Sequence, residues 1–125
     1  MNVNKAQSQT SVETPNGNAV ISIATPSRGA HEVSIVQQIQ QPGGFNPEHR
    51  HDREEVMVMQ SGVVTLLVDG VEHVLDAGDT AIVPAGAMHQ IANRGETPAG
   101  WVLVAPGGIK FFAATGEQMT PGWAQ

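Results

Sequence analysis

The sequence contains no cysteine. That excludes a disulfide framework, a thiolate nucleophile and a zinc–thiolate site, and it fits a reducing compartment. Tyrosine is also absent, and aromatic residues make up only 4% of the chain. A core must therefore come mostly from valine, isoleucine, leucine and alanine, and no phenol is available as a proton donor. Basic residues are scarce, six Lys and Arg against twelve Asp and Glu, for a net charge of −6. Nucleic acid and anionic membrane surfaces call for a concentrated basic face, so both are excluded as partners. No stretch approaches the ~20 apolar residues of a membrane span. The first residues, MNVNKAQSQTSVETPNGN, lack the apolar segment of a signal peptide. The expectation is a soluble cytoplasmic protein. No window holds a sustained helical period, so any helix should be a short turn.

What the 125 residues do contain is a rhythm of short β-type runs cut by glycine and proline. A chain of this length is one domain on size alone and can bury roughly two thirds of its unfolded surface. Residues 1–18 are polar, with the turn signal Pro15-Asn16-Gly17-Asn18, and read as a mobile tail or an arm on a partner subunit. Strands are expected at residues 19–24, 31–40, 56–60, 63–68, 71–75, 80–83, 88–92, 101–105 and 109–113. Asp69-Gly70 between two β-branched runs is the strongest hairpin signal. The expected layout is a tail at 1–18, a β-domain at 19–115 and a loose tail at 116–125. Many short strands at near-regular spacing indicate an antiparallel barrel or sandwich.

The chemistry concentrates in two segments. His49 and His51 share a face of an extended strand, and Glu55 keeps their parity. Two imidazoles and a carboxylate on one face begin a metal site, which the downstream His89 could complete. The glycines around them have regular places. The first segment reads G-x5-H-x-H-x3-E-x6-G, from Gly43 through His49, His51 and Glu55 to Gly62. The second reads G-x5-P-x-G-x2-H-x3-N, from Gly78 through Pro84, Gly86 and His89 to Asn93. At every defined position these resemble the two signature motifs of the cupin family.

That resemblance implies an all-β fold, a small antiparallel jelly-roll β-barrel with a metal inside. It implies His49, His51, Glu55 and His89 as ligands of one divalent transition metal ion (Fe, Mn, Ni, Cu, Co or Zn). It also implies a homodimer, with residues 19–24 and the N-terminal tail as candidate contacts. A chance arrangement is a poor account of three of the five histidines falling at ligand positions. His31 and His73 lie outside the motifs and read as surface. Asn93 should hold a turn or a contact behind the ligands.

Strand parity extends the site to a substrate pocket. Phe45 and Pro47 share the parity of the first two histidines, Met57 and Met59 that of Glu55, and Ile91 and Asn93 that of His89. Trp101 or Leu103 could close the same wall. For most of these residues barrel core is the plainer reading. The pocket candidates are thus Phe45, Met57, Met59, Ile91 and Trp101, giving a mostly apolar cavity. Arg50 points outward by parity, and no inward basic cluster is visible for a phosphate. The leading expectation is a metal-dependent oxidoreductase of dioxygenase type acting on a small, fairly apolar oxygenated molecule. The alternatives are a metal-dependent isomerase, cyclase or lyase, and a non-catalytic small-ligand binder.

Overall fold

A computed structural model describes residues 1–124. Twelve strands form two six-stranded antiparallel sheets that face each other. The first sheet runs β1 (Ser11–Glu13), β2 (Asn18–Ala24), β3 (Val33–Gln40), β10 (Ala99–Pro106), β5 (Glu55–Ser61) and β8 (Thr80–Val83). The second runs β12 (Gln118–Met119), β11 (Phe111–Ala113), β4 (His49–His51), β9 (His89–Ala92), β6 (Val63–Val68) and β7 (Val71–Asp76). This is the expected jelly-roll, and the helices among the described residues are three-residue 3-10 turns. Among the described residues no helix is long and apolar enough to cross a membrane.

The alternation of the strands builds the interior. On β5, Glu55, Met57 and Met59 point inward and are 5%, 1% and 1% exposed. On β10 the inward residues are Trp101, Leu103 and Ala105, and on β6 Val64 and Leu66 join them. Met57, Met59, Val64, Leu66, Trp101 and Leu103 form one apolar cluster with Ile91. Two turns need glycine. The β6–β7 hairpin pairs Val68 with Val71 around Asp69 and Gly70, both at positive φ (47° and 82°), the paired left-handed turn that matches strand twist. Gly62, at φ 71°, lies so close to Pro98 that a Cβ would sit 2.6 Å from its carbonyl oxygen.

Three features depart from the sequence reading. Residues 11–13 add β1 to the edge of β2, and Asn4 Nδ2 donates to the Arg28 carbonyl at 3.2 Å. Much of the polar N-terminal segment is therefore stitched onto the first sheet. Within residues 116–125, Gln118–Met119 pairs with β11. On β3 the inward residues are Ser34, Val36, Gln38 and Gln40, while Val33 is 47% exposed. The apolar parity of that strand faces outward, because its inward amides find hydrogen-bond partners inside the barrel.

Candidate metal centre

His49 on β4 pairs directly with His89 on β9, so two imidazoles meet across one antiparallel rung. His51 lies two residues along on the same face of β4, opposite Phe111. The nitrogens that the three rings offer lie within 4.8 Å of one another. His51 and His89 are 2% and 1% exposed. Phe111 stands edge-on to His51, with ring centroids 4.5 Å apart, and limits the tilt of that imidazole.

Glu55 reaches the group from the opposite sheet. Its Oε2 is 3.5 Å from His51 Nε2. The sequence reading placed Glu55 on the same strand face as the histidines. The structure ends β4 at His51, turns the chain through Asp52, Arg53 and Glu54, and starts β5 in the other sheet at Glu55. The inward direction is as expected, but the carboxylate comes from across the barrel. Asp52 secures this corner, accepting the Lys110 backbone N–H at 2.7 Å.

Backbone contacts set the rings. His49 Nδ1 donates to the Pro47 carbonyl at 2.7 Å, and His89 Nδ1 to the Ala87 carbonyl at 2.9 Å. Each bond fixes a tautomer whose Nε2 lone pair is free, the arrangement that metal-ligating histidines adopt. Burial lowers the His49 pKa to about 4, with the neighbouring His89 adding to the effect. Burial also lowers the His89 pKa, against the opposing pull of the Ala87 carbonyl. For Glu55 burial favours the neutral acid, but adjacent His51 and then the other two imidazoles outweigh it and hold the carboxyl below its ordinary range. Neutral imidazoles beside an ionised carboxylate are the charge state a divalent cation requires.

This donor set fits such an ion. His51 Nδ1 and Nε2 and His89 Nε2 are buried without a hydrogen-bond partner among the described residues. Unpaired buried polar atoms are costly, and an ion bound by Nε2 would satisfy two of these three. Three nitrogens and one oxygen suit first-row divalent metals, with typical bond lengths of ~2.0–2.2 Å.

Three of the four residues, His49, His51 and Glu55, border a cavity of about 430 Å³. Its walls include His49, His51, Glu55, Ile91, Leu103 and Phe111. Of the five pocket candidates from sequence, Ile91 lines it. Met57, Met59 and Trp101 face inward but sit in the dry core, because successive inward residues on a strand are ~6.6 Å apart and carry β5 away from Glu55. Phe45 is 41% exposed. It holds only an isolated bridge to Ala92, so strand parity does not carry from His49 back to it. Pro47, which shares that parity, does line the cavity.

Sequence reasoning missed two groups of lining residues. One is a set of amides, Asn16, Asn18, Gln38 and Asn46; the other is the C-terminal segment Met119, Thr120 and Pro121. The amides carried one available signal, since two glutamines alternating on a β-strand demand partners if they face inward. Asn93 ties loops together instead of touching the histidines. Its Nδ2 donates to the Gln40 and Thr97 carbonyls at 3.0 and 2.9 Å. His31 and His73 are exposed.

Residues 36–105 match the family model of the cupin domain. The chain belongs to the cupin family. Among curated cupin relatives it is 33% identical to oxalate oxidase 1 of Hordeum vulgare over 102 residues, covering 72% of this chain and 51% of that protein. It is 39% identical to germin-like protein 5-1 of Oryza sativa subsp. japonica over 64 residues, or 46% of this chain and 29% of that protein. The chain thus spans about half the length, or less, of these curated relatives. A solved oxalate oxidase in complex with the substrate analogue glycolate superposes with a TM-score of 0.72 at 29% identity, covering 86% of this chain and 61% of that one. The polyketide cyclase RemF from Streptomyces resistomycificus has the same fold, with a TM-score of 0.74 at 19% identity over 85% of this chain and 79% of that one.

Proposed function

We propose that this cupin is a metal-dependent oxidoreductase, of oxidase or dioxygenase type, acting on a small oxygenated molecule held in the cavity. His49, His51, Glu55 and His89 would hold the metal. The observation that carries the reading is this donor set, three clustered imidazoles and a carboxyl held below its ordinary range, of which His49, His51 and Glu55 line a cavity of about 430 Å³. That volume lies within the range of small-molecule sites. The oxalate oxidases among the relatives support the redox class.

A bound redox metal would supply Lewis acidity and a place for dioxygen or a substrate oxygen. The chain's own part is positional. The Pro47 and Ala87 carbonyls hold the two Nδ1 protons and aim both Nε2 atoms at the site. Ile91, Leu103 and Phe111 keep the surrounding wall apolar.

The test joins elemental analysis of untagged protein to oxygen uptake with a panel of small hydroxy- and keto-compounds. Near-stoichiometric Fe, Mn, Ni or Cu, with oxygen consumed by the loaded protein, supports the reading. Turnover that is equal without oxygen and persists with zinc would transfer the site to isomerase, cyclase or lyase chemistry. Ligand affinity that survives removal of the metal, with no turnover, would make the protein a binder.

We further propose that the protein works as a homodimer through the outer face of the first sheet. Ile35, Val104, Val56 and Ile82 stand in register across β3, β10, β5 and β8, and Ile82 is 63% exposed. Residues 19–24 were the contact expected from sequence, but β1 covers the free edge of β2. That leaves the sheet face as the favoured contact.

A further inference from the structure

The amides on the cavity wall form a chain whose orientation follows from one backbone atom. Asn18 Nδ2 donates to the Phe45 carbonyl at 2.9 Å. A carbonyl can only accept, so this end of the Asn18 amide must be its NH2 group. The other end, Oδ1, then accepts from Gln38 Nε2 and Gln40 Nε2, both at 2.9 Å. Turning either glutamine would set two oxygens against each other. Gln38 Nε2 also donates to Asn46 Oδ1 at 2.8 Å. Both Gln38 N–H bonds are therefore used, and Asn46 presents its NH2 on the far side.

Three polar atoms of the relay are left over, and one of them, Gln40 Oε1, is buried away from the cavity; the other two belong to residues of the cavity wall. Gln38 is 3% exposed, and its Oε1 accepts no hydrogen bond from the described residues. Asn46 Nδ2 likewise donates to no described residue. Both residues line the cavity, as does Asn18, whereas Gln40 does not. The Gln38–Asn46 pair thus offers one fixed acceptor and one fixed donor, both uncharged. Among the described residues no lysine or arginine lines the cavity.

We propose that this amide relay is a recognition subsite for a neutral substrate carrying a hydroxyl beside a carbonyl. The hydroxyl donates to Gln38 Oε1 and the carbonyl accepts from Asn46 Nδ2. The apolar remainder packs on Ile91, Leu103 and Phe111. Asn18 is the positioning residue, whose fixed amide holds Gln38, and through it Asn46, in one orientation. A dianion such as oxalate gains nothing from the acceptor and, in the metal-free protein, finds no lysine or arginine among the described lining residues. A site built to pair a hydroxyl rejects an analogue lacking it far more strongly than an apolar pocket rejects a change of shape.

The proposal rests on the reading of the cavity as the substrate site, and it can be tested without the metal. Titration calorimetry on chelator-treated, metal-free protein compares benzoin, with its hydroxyl beside a carbonyl, with benzil, which has two carbonyls and no donor, and with oxalate. Benzoin should bind at least about tenfold more tightly than benzil, and oxalate should show no binding. Gln38→Met removes the acceptor while Gln40 still serves Asn18 Oδ1, and should reduce the benzoin preference to about onefold. Gln40→Met loses a buried amide of the same kind that does not face the cavity, and should keep the preference within about twofold. Equal binding of benzoin and benzil, a preference that survives Gln38→Met, oxalate binding as tightly as benzoin, or binding of none of the three would each overturn the proposal. Elemental analysis of the same proteins keeps the two readings apart: failure to load metal counts against the proposed oxidoreductase and leaves the benzoin comparison standing.

Discussion

The two sheets bring different chemistry to the same cavity. The second sheet supplies the three imidazoles, from β4 and β9. The first supplies the single carboxylate from β5, and Asn18 and Gln38 from β2 and β3. The histidine side can be charged and uncharged. The amide side has fixed donors and acceptors and does not titrate. The candidate donor set spans the gap, so an ion bound by all four residues would add a further link to the apolar packing and the Gln40–Ile91 and Asn93–Gln40 hydrogen bonds between the sheets. What differs between the sheets is therefore what each can do: one offers lone pairs to a cation, the other reads an organic molecule.

The comparison is broken most completely by removing an imidazole. His51→Ala and His89→Ala should each bring metal content from near one per chain to near zero by elemental analysis, with the fold kept. Full occupancy in either variant would refute the assignment of that ligand. Glu55→Gln cuts the only donor from the opposite sheet. Metal affinity should fall by one to two orders of magnitude. The rise in Tm on metal loading, on the order of 10 °C for an ion at a thousand times its Kd, should shrink to a few degrees. An unchanged rise would mean that the ion does not bridge the sheets.

Acid should sharpen the contrast. In the metal-free fold His49 titrates at about 4, against 6.5 for an ordinary histidine. As pH falls from 6.5 the unfolded chain takes up the proton first, so stability should decline between about pH 6.5 and 4 and then level off for this group. Glu55 has a depressed pKa, so its contribution is present above the ordinary carboxylate value and is lost only as pH falls below it. Urea midpoints at pH 7, 5.5 and 4 test the His49 decline, and a flat profile would contradict it. The smallest effect on the site is expected from the outer face of the first sheet. Ile82→Lys should convert dimer to monomer by light scattering and leave metal content unchanged. A wild-type monomer at micromolar concentration would remove the dimer altogether.

The fold was largely legible in the sequence because turn residues punctuate β-branched runs. Asp69-Gly70, Ala77-Gly78 and Pro84-Ala85-Gly86 mark their boundaries from local chemistry alone. The inward direction of His49, His51, Glu55 and His89 was legible from period-two alternation and motif spacing. The sheet to which Glu55 belongs was not, because the corner at Asp52–Glu54 preserves parity while changing sheets. The wall opposite the histidines was not legible either. Gln38 and Gln40 look like solvent-facing residues until Asn18, twenty or so positions earlier, is seen to supply their acceptor. Tertiary hydrogen bonds overrode the hydropathy of β3, and no local pattern records such a bond. Residues 119–121 escaped notice because a two-residue strand, β12, has too few positions to show alternation.

The cavity wall draws on distant parts of the chain, with Thr14 and Asn16 from the N-terminal part and Met119, Thr120 and Pro121 from the C-terminal part. A polyhistidine tag joined to the C-terminal segment would add imidazoles of its own to a protein whose site is made of imidazoles. Protein prepared that way would report the tag's metal along with its own. A cleavable N-terminal tag, attached ahead of β1, places the foreign histidines before the stitched segment and leaves the C-terminal part of the wall as the chain builds it.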